Sequence, residues 1–394
     1  MARINLNSVI LKPGKEKPIL HRHHWIFSGA IAAYPSFENG DFLSVYSHSG
    51  TFLGSGYFNR ASAISGRMIS FDPTPPLEAL RQRLDQAIAF RQNQFDSSVT
   101  TAYRLIHAEG DGIPGLIVDR YQDVLVMQIS TLGMDRIRHW LVEYFVTKLN
   151  PLAIYEKSLL SVRQEEKLQP VQQLLYGMLP QEVVMQENGL HFAVSIIEGQ
   201  KTGFFLDQRE MRQWVRELAY GKRILNCFSY TGGFSVYGAA GGAIQVDSVD
   251  ISSKAIEMAQ KNFVLNGLPH TTENFVTADL FQFFRDCAQL EYDLVILDPP
   301  AFAKRQKDLI SACRGYKDLN RIAMKGMKSG SMLLTCSCSY HVDETLFRQV
   351  LFQAATEAGR TVKIIGKHRI ARDHPINIHH PEGDYLKSFL LYLD

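Results

Sequence analysis

One stretch of this sequence, residues 224–237 (ILNCFSYTGGFSVY), constrains the fold more than any other. It begins with the apolar run 224–228, which is typical of a buried strand, and continues through a turn from Ser229 to Gly233 into a helix predicted to begin at Phe234. A strand, a glycine turn and a helix form the first unit of a doubly wound α/β sheet. The glycines allow backbone angles that other residues avoid, and they let a ligand lie against the main chain. On its own, the pattern fits a plain structural turn equally well.

Four further apolar runs follow, and polar or reactive residues come directly after each. The second predicted strand ends at Asp250, where a carboxylate can accept hydrogen bonds from both hydroxyls of a ribose. The third leads to Asp279, the fourth to Asp298, and the fifth to Cys336 and Cys338. Because ligands of open α/β sheets bind at the carboxyl ends of the strands, the sequence predicts a binding site along this edge. The predicted strands are 244–249, 274–277, 293–297 and 331–335, and the predicted helices between them are 252–265, 280–290 and 310–327.

Four segments of the chain carry a resemblance to a known family: 202–209 (TGFFLDQR), 226–234 (NCFSYTGGF), 297–302 (LDPPAF) and 335–338 (TCSC). The region resembles the class I S-adenosylmethionine-dependent methyltransferases. More narrowly, it resembles the bacterial enzymes that form 5-methylcytosine in 23S ribosomal RNA, and the likeness extends over nearly the whole chain. The resemblance implies a Rossmann-like catalytic domain, S-adenosyl-L-methionine as the cofactor and ribosomal RNA as the partner.

The resemblance also implies a set of cofactor contacts. The turn after the first strand is expected to bind the methionine end of the cofactor, Asp250 its ribose and Asp279 its adenine amine. The 202–209 segment is expected to cover the cofactor, and the loop after the fourth strand to border it. The predicted cofactor-binding residues are Phe204, Asp207, Gln208, Ser229, Tyr230, Thr231, Gly232, Gly233, Asp250, Asp279, Asp298 and Pro299.

Methylation of cytosine at carbon 5 requires covalent catalysis, because that carbon is not nucleophilic until a thiolate has added to carbon 6. The match of residues 335–337 to the family's motif makes Cys336 the predicted nucleophile. Cys338 is the alternative, since residues i and i+2 of an extended strand share a face. Asp298 is expected to hydrogen-bond N4 and protonated N3 of the ring, which would favour thiolate addition.

Other functions stay open at this point. A similar Asp-Pro-Pro loop serves enzymes that methylate exocyclic amines, so an RNA guanine or adenine N-methyltransferase is the alternative enzyme. A non-catalytic RNA-binding or assembly protein is a third reading, which an intact Asp298 and Cys336 disfavour. A nicotinamide-dependent dehydrogenase is disfavoured because the chain lacks its Gly-x-Gly-x-x-Gly run. Some RNA cytosine methyltransferases carry a second cysteine beside the fourth strand; it is absent here, so the group that removes the carbon 5 proton is unassigned.

The first 72 residues have a different pattern. Short strand-like runs at 8–11, 42–46, 52–58 and 64–71 alternate with Pro and Gly turns, which predicts a small β-barrel. Residues 24–31 (HWIFSGAI), followed by Gly40 and Asp41, resemble the start of a PUA domain, an RNA-binding module. Residues 1–71 hold seven Lys or Arg against three acidic residues, a basic excess that fits RNA binding. No cysteine or carboxylate cluster accompanies His21, His23 and His24, so no metal is predicted.

The segment between these regions reads as a small α+β domain. After the linker 72–76 (DPTPP), the pattern predicts a helix at 77–94, strands at 103–108, 116–121, 124–129 and 153–156, and a helix at 134–149. Asn188 and Gly189 then predict a tight hairpin between strands 183–187 and 190–196, and a helix is predicted at 210–218. The predicted domains are 1–73, a PUA-like barrel, 74–182, a central α+β domain, and 183–394, the methyltransferase domain.

The composition of the chain indicates the cellular compartment to expect. None of the apolar runs reaches the roughly 20 residues of a membrane helix, and the first residues do not follow the pattern of a signal peptide. The five cysteines argue against a disulfide framework, so a reducing cytoplasm is expected. Cys227 is expected in the core, and Cys287 and Cys313 have no assigned role. The sequence leaves the oligomeric state open, a homodimer being one option.

Overall fold

The computed structural model of this chain describes residues 8–287, 289–303, 305–367 and 370–394. These residues form two compact units. The first contains the chain up to Gln186 together with Val194–Leu206 and Arg372–Gly383, and the second contains Glu187–Ala193, Asp207–Ala371 and Asp384–Asp394. The domain boundaries after residues 73 and 182 stay predictions. Among the described residues, no helix combines the length and the apolarity needed to cross a membrane.

The first unit begins with a six-stranded sheet whose strand order is β2-β6-β5-β4-β1-β3. Strands β1 and β4 are parallel, and the other neighbouring pairs are antiparallel. Buried side chains alternate along β4 and are continuous along most of β5 and β6, and the apolar ones form a core around Val9, Val45 and Phe58. The elements are β1 (Ser8–Leu11), α1 (Lys17–Leu20), β2 (Trp25–Phe27), β3 (Ile31–Ala33), β4 (Phe42–Tyr46), β5 (Phe52–Phe58) and β6 (Ile64–Ser70).

A five-stranded sheet, ordered β11-β10-β9-β8-β7, follows in the same unit. Helix α2 buries Leu80, Leu84 and Ile88 as its periodicity predicts, in a core that also contains Tyr57 and Ile69 from the preceding sheet. The helix predicted at 134–149 is instead two helices, with non-helical backbone between them at residue 137. The elements are α2 (Pro76–Gln94), β7 (Ala102–His107), β8 (Leu116–Tyr121), β9 (Val124–Ile129), α3 (Leu132–Arg136), α4 (Arg138–Leu149), β10 (Ala153–Ser158) and β11 (Val171–Gly177).

The predicted hairpin comes next in the chain, as a two-stranded sheet of β12 (Val183–Glu187) and β13 (Leu190–Val194). Asn188 has φ 50° and Gly189 has φ 79°. Two consecutive positive φ angles are what a two-residue hairpin turn requires, and Asn-Gly is the pair that tolerates them best.

The second unit is built on a seven-stranded sheet with the order β16-β15-β14-β17-β18-β20-β19. The five strands from β16 to β18 are parallel, and β20 is antiparallel to both of its neighbours. The elements are α5 (Arg209–Leu218), β14 (Arg223–Cys227), α6 (Gly233–Ala240), β15 (Gln245–Asp250), α7 (Ser253–Leu265), β16 (Phe275–Thr277), α8 (Leu280–Asp286), β17 (Leu294–Leu297), α9 (Leu309–Gly326), β18 (Met332–Ser337), α10 (Glu344–Ala358), β19 (Val362–Lys367) and β20 (Lys387–Leu393).

The predicted βα pattern from residue 224 to the cysteines is therefore confirmed, with two differences. Helix α8 ends at Asp286, four residues before its predicted end, because the backbone at Cys287 turns to extended angles. The sequence pattern predicts no element after the cysteines, where the structure has helix α10 and the strands β19 and β20 that complete the sheet. The pairing register sets the binding edge: Cys227 lies opposite Val249 and Leu297, and Leu297 opposite Thr335.

Candidate functional site

The turn after β14 is held in an unusual backbone shape. Phe228, Tyr230 and Gly232 have φ angles of 56°, 48° and 77°. Left-handed angles at two non-glycine residues cost of the order of 1–3 kcal/mol each, and such strain clusters at ligand-binding sites. A Cβ atom on Gly232 would lie 2.8 Å from the Cβ of Ala259, so close packing against α7 and the backbone angle both require glycine.

Asp250 fixes this turn. Its Oδ2 accepts a hydrogen bond from the backbone N–H of Tyr230 at 2.9 Å, and its Oδ1 accepts one from the backbone N–H of Ser252 at 2.9 Å. Each carboxylate oxygen has a second lone pair, so the group can brace the turn and still accept from ribose hydroxyls. The structure therefore brings Asp250 to the predicted turn, with a bracing role that the sequence did not reveal.

The turn also presents two buried hydroxyls that fit a polar ligand. Among the described residues, Ser229 Oγ and Thr231 Oγ1 have no hydrogen-bond partner, although both residues are more than nine-tenths buried. Unsatisfied buried hydroxyls are costly unless a ligand or a water engages them. They lie in the turn predicted to take the methionine end of S-adenosyl-L-methionine, whose amino and carboxylate groups can satisfy both. The fully buried Asn262 supports the turn, donating from Nδ2 to the carbonyl oxygen of Thr231 at 2.8 Å.

Three other predicted cofactor-binding residues, Asp279, Asp207 and Phe204, lie outside this turn. Asp279 is exposed and caps α8, its Oδ1 accepting from the backbone N–H of Gln282 at 3.0 Å. Asp207 is buried, and its Oδ2 accepts a hydrogen bond from the Tyr385 hydroxyl at 2.5 Å. Phe204 belongs to the first unit, where its backbone N–H donates to the Tyr121 hydroxyl at 3.1 Å. The cofactor contacts of these three residues stay predictions.

Side chains from distant parts of the sequence meet at the ends of β17 and β18. Because Leu297 pairs with Thr335, the next residues along the two strands, Asp298 and Cys336, lie beside each other. The buried amide of Gln208 donates from Nε2 to Oδ1 of Asp298 at 3.1 Å. Gln208 is predicted to cover the cofactor, and that contact stays a prediction. In the structure its side-chain amide is hydrogen-bonded to the Asp298 carboxylate.

The two cysteines of this edge occupy unlike environments. Cys336 is 0% exposed, and its Sγ accepts a hydrogen bond from the Ser388 hydroxyl of β20 at 3.1 Å. Burial, and then the negative charge of Asp298, raise the pKa of the Cys336 thiol well above its ordinary value, against the opposing hydrogen bonds from Ser388 and Gln208. Cys338 follows the strand, is only partly buried, and has its Sγ 3.8 Å from the carbonyl oxygen of Pro299. Of the two thiols, Cys338 is the more accessible.

A buried lysine, which the sequence analysis missed, lies near the same strand end. Lys387 Nζ donates to the carbonyl oxygens of Ser339 at 2.8 Å and Tyr385 at 2.7 Å. Burial lowers the pKa of this ammonium. Lys387, Ser388 and Tyr385 come from the last ten residues of the chain, and no local pattern in that segment links them to the cysteine motif. The remaining cysteines lie elsewhere: Cys227 is buried in the core as predicted, while Cys287 and Cys313 are partly buried.

His23, for which the sequence predicts no metal, lies in a group of three side chains whose ligand atoms are close enough together to hold a metal ion: His23, His380 and Glu382. In the first unit, His23 Nε2 lies 3.4 Å from both carboxylate oxygens of Glu382, and His380 Nδ1 lies 3.6 Å from Glu382 Oε2. The backbone N–H of Trp25 donates to His23 Nδ1 at 3.2 Å, so a neutral His23 carries its proton on Nε2. That proton points to Glu382, which makes the contact a hydrogen bond or ion pair. The sequence expectation of no metal stays a prediction.

Comparisons with known proteins agree with the geometry. The family model described as S-adenosylmethionine-dependent methyltransferase matches residues 161–365, and a PUA-like domain model matches residues 9–71. A relative from Shewanella denitrificans, named ribosomal RNA large subunit methyltransferase I, is 41% identical over 96% of this chain and 98% of its own. A relative of the same name from Aeromonas salmonicida is 40% identical over 97% of this chain and 98% of its own.

Two solved structures are similar to this chain over nearly its whole length. A protein from Streptococcus mutans assigned as a SAM-dependent methyltransferase has a TM-score of 0.82 and 25% identity, covering 98% of this chain and 99% of that chain. A methyltransferase crystallised with S-adenosylhomocysteine has a TM-score of 0.84 and 26% identity, with the same coverage. Fold, site and relatives together define an S-adenosylmethionine-dependent methyltransferase with a Rossmann-like catalytic domain and an N-terminal PUA-like domain. More narrowly, the chain belongs to the family of ribosomal RNA large subunit methyltransferase I proteins. The predictions of fold class, family and cofactor are confirmed.

Proposed function

We propose that this protein methylates carbon 5 of a cytosine in 23S ribosomal RNA. The name of its relatives supports the substrate class, since they are ribosomal RNA large subunit methyltransferases. The observation that carries the choice of atom is a cysteine pair beside an acidic loop: Cys336 lies in β18 and Cys338 directly follows it, next to Asp298 and Pro299 just after β17. Amine methylation needs no thiol, whereas carbon 5 methylation needs one within reach of the ring.

Accessibility favours Cys338 as the nucleophile. The sequence motif points to Cys336, but the Cys336 thiol is fully buried, and burial together with the charge of Asp298 raises its pKa, which disfavours the thiolate. A nucleophile must be a thiolate and must reach carbon 6 of a base that has left the stack. Cys338 is partly exposed and lies one residue beyond the strand. We therefore assign the nucleophilic role to Cys338, with Cys336 as a buried neighbour that packs behind it.

The proposed reaction begins with addition of the thiolate, continues with methyl transfer and ends with elimination. The Cys338 thiolate forms a bond to carbon 6, and the electron pair of the carbon 5–carbon 6 double bond becomes available at carbon 5. Asp298 accepts hydrogen bonds from N4 and protonated N3, and its negative charge stabilises the positive charge of the N3-protonated ring, which makes carbon 6 more electrophilic. Carbon 5 takes up the methyl group that S-adenosyl-L-methionine would supply; the methyl carbon–sulfur bond breaks, its electron pair stays on sulfur, and S-adenosylhomocysteine leaves. Loss of the carbon 5 proton to a base restores the double bond and expels the Cys338 thiolate.

The position of Asp298 suits this role. Gln208 donates a hydrogen bond to one carboxylate oxygen at 3.1 Å, which helps to fix the orientation of the group. The rigid prolines at 299 and 300 follow immediately and restrict the loop. An oriented carboxylate in a partly buried site stabilises ring charge without the reorganisation that water would require.

The test compares two matched variants, Cys338→Ala and Cys336→Ala. We expect Cys338→Ala to lower methylation of ribosomal RNA by at least about a thousandfold, because the covalent route is lost, and Cys336→Ala to keep most of the activity. Both should bind S-adenosylhomocysteine as the wild type does. Nucleoside mass spectrometry of the product should show 5-methylcytosine.

RNA containing 5-fluorocytosine provides an independent readout. Fluorine replaces the proton that must leave, so the wild-type protein should be trapped as a covalent adduct. Peptide mapping should place the adduct on Cys338. An adduct on Cys336 would reverse the assignment in favour of the motif-based prediction. An N-methylated guanine or adenine, with no adduct on either cysteine, would replace the proposed function by amine methylation.

A further inference from the structure

A polar cavity of about 430 Å³ lies in the first unit, formed by residues of the PUA-like sheet, helix α2, the loop before β8 and the segment near residue 377. Its lining includes two arginines, Arg22 and Arg83, and two aromatic rings, Phe71 and Phe90. Phe90 is 37% exposed, although it is a large apolar side chain. The catalytic residues discussed above belong to the second unit, so the cavity is a separate feature.

Arg83 is a fixed part of this cavity. Its Nη1 donates to the carbonyl oxygen of Gly112, and its guanidinium lies 5.8 Å from the centre of the Phe71 ring. Gly112 has φ 69°, and a Cβ atom there would collide with Arg83 Nη1. The backbone angle of Gly112 favours glycine, and Asp111 and Gly112 form part of the wall of the cavity.

The cavity is positively charged. Burial, and to a smaller extent the nearby charge of Arg22, lower the pKa of Arg83 to about 10, so the group stays protonated at neutral pH. The lining carboxylate of Asp111 is neutralised by Arg91 at 2.6 Å. Outside the lining, Asp72 attracts Arg83 and accepts hydrogen bonds from Ser70 and Thr74. An anion bound between the two guanidinium groups would relieve their repulsion.

The floor of the cavity offers a neutral acceptor. His24 is buried, and the pKa of its imidazole is lowered to about 3, chiefly by burial. Its Nδ1 lies 2.8 Å from the carbonyl oxygen of Met68 and must donate to it, because a carbonyl only accepts. Nε2 of the neutral ring is therefore an acceptor, suited to an amino or hydroxyl group of a ligand.

We propose that this cavity binds one nucleotide of a single-stranded segment of the RNA substrate, its phosphate between Arg22 and Arg83 and its base against Phe90. Guanidinium groups recognise phosphate, and bases stack on exposed aromatic rings. The cavity volume lies within the range of small-ligand sites. This inference rests on the proposed function, because it assigns to the first unit a defined contact with the same RNA.

The experiment uses the full chain and three substitutions. Arg22 and Phe90 are exposed enough for Arg22→Gln and Phe90→Ala to fold, and Arg81→Ala on helix α2 is the matched control, since Arg81 is exposed and does not line the cavity. Fluorescence anisotropy with a single-stranded RNA should show about tenfold weaker binding for Phe90→Ala. For Arg22→Gln the log–log salt slope should fall by about 0.7, the value for one lost phosphate contact. Arg81→Ala should bind as the wild type does.

Two further measurements separate this inference from the proposed function. At saturating RNA the cavity variants should keep the wild-type kcat and show a raised KM, because the cavity lies outside the catalytic unit. Cytidine monophosphate should compete with RNA for the wild type better than inorganic phosphate does. Wild-type RNA affinity and salt slope in both cavity variants would overturn the inference, as would equal competition by phosphate alone. A wild-type protein that binds RNA through the cavity but methylates none would refute only the proposed function.

Discussion

The binding edge of the second unit has two halves that are built in different ways. The cofactor half, from Ser229 to Gly233 with Asp250, is held by hydrogen bonds that each involve a backbone group, between residues at most 31 positions apart. The cysteine half is held by side chains: Gln208 reaches Asp298 across 90 residues, and Ser388 reaches Cys336 across 52. Changes in the first half should therefore impair binding through the shape of the turn, whereas changes in the second should impair the reaction itself.

The largest effect after loss of the nucleophile is expected from Asp298→Asn. Asparagine keeps the size of the side chain and an acceptor for Gln208, but it removes the charge that stabilises the ring. We expect kcat to fall about 10²- to 10³-fold, the usual loss when one preorganised electrostatic contact is removed. Cofactor affinity, measured by calorimetry with S-adenosylhomocysteine, should change much less. A loss of cofactor affinity larger than the loss of kcat would mean that Asp298 acts mainly in cofactor binding.

Asp250→Ala should have the opposite effect, with a loss of cofactor affinity and little change in kcat. It removes the acceptor of the Tyr230 and Ser252 N–H groups and of the ribose hydroxyls, so the affinity for S-adenosylhomocysteine should weaken by about 1–3 kcal/mol. At saturating cofactor, kcat should stay near that of the wild type. A thermal melt without ligand separates the loss of bracing from the loss of the ligand contact. Unchanged affinity would remove Asp250 from the cofactor site.

Gly232→Ala tests the shape of the turn without removing any polar group. Alanine at φ 77° costs about 1–2 kcal/mol, and its Cβ would also lie 2.8 Å from Ala259. We expect a lower melting temperature and weaker cofactor binding together. The matched control is Gly359→Ala, at φ 66° with no atom within 4 Å of the added Cβ, which should lower stability but not cofactor affinity. Equal affinity losses in the two variants would argue against a specific role for the turn.

The two halves also differ in how far the sequence could reveal them. The turn, its glycines and Asp250 were predictable because strand, turn and strand end are local patterns with a fixed geometric meaning. Gln208, Ser388 and Tyr385 were not, because side chains so far apart meet only when the sheet order is known, and β20 inserts between β18 and β19. Burial also depends on residues far away in the sequence: the motif points to Cys336, but that thiol is fully buried and accepts a hydrogen bond from Ser388, 52 residues away.

The smallest expected effect tests the buried cysteine directly. Burial raises the pKa of Cys336 above its ordinary value, so between these two pKa values the folded chain retains a proton that the unfolded chain releases. The contribution of Cys336 to the free energy of unfolding is therefore fully present below about pH 8.5. It falls as pH rises above that value, by up to about 1.4 kcal/mol per pH unit. In Cys336→Ala this part of the decline should vanish, while any decline due to buried Cys227 persists. Urea unfolding at pH 8 and pH 10 measures the difference. Identical pH dependence in the variant and the wild type would mean that Cys336 ionises in the folded protein as readily as in the unfolded chain, and would restore it as a candidate nucleophile.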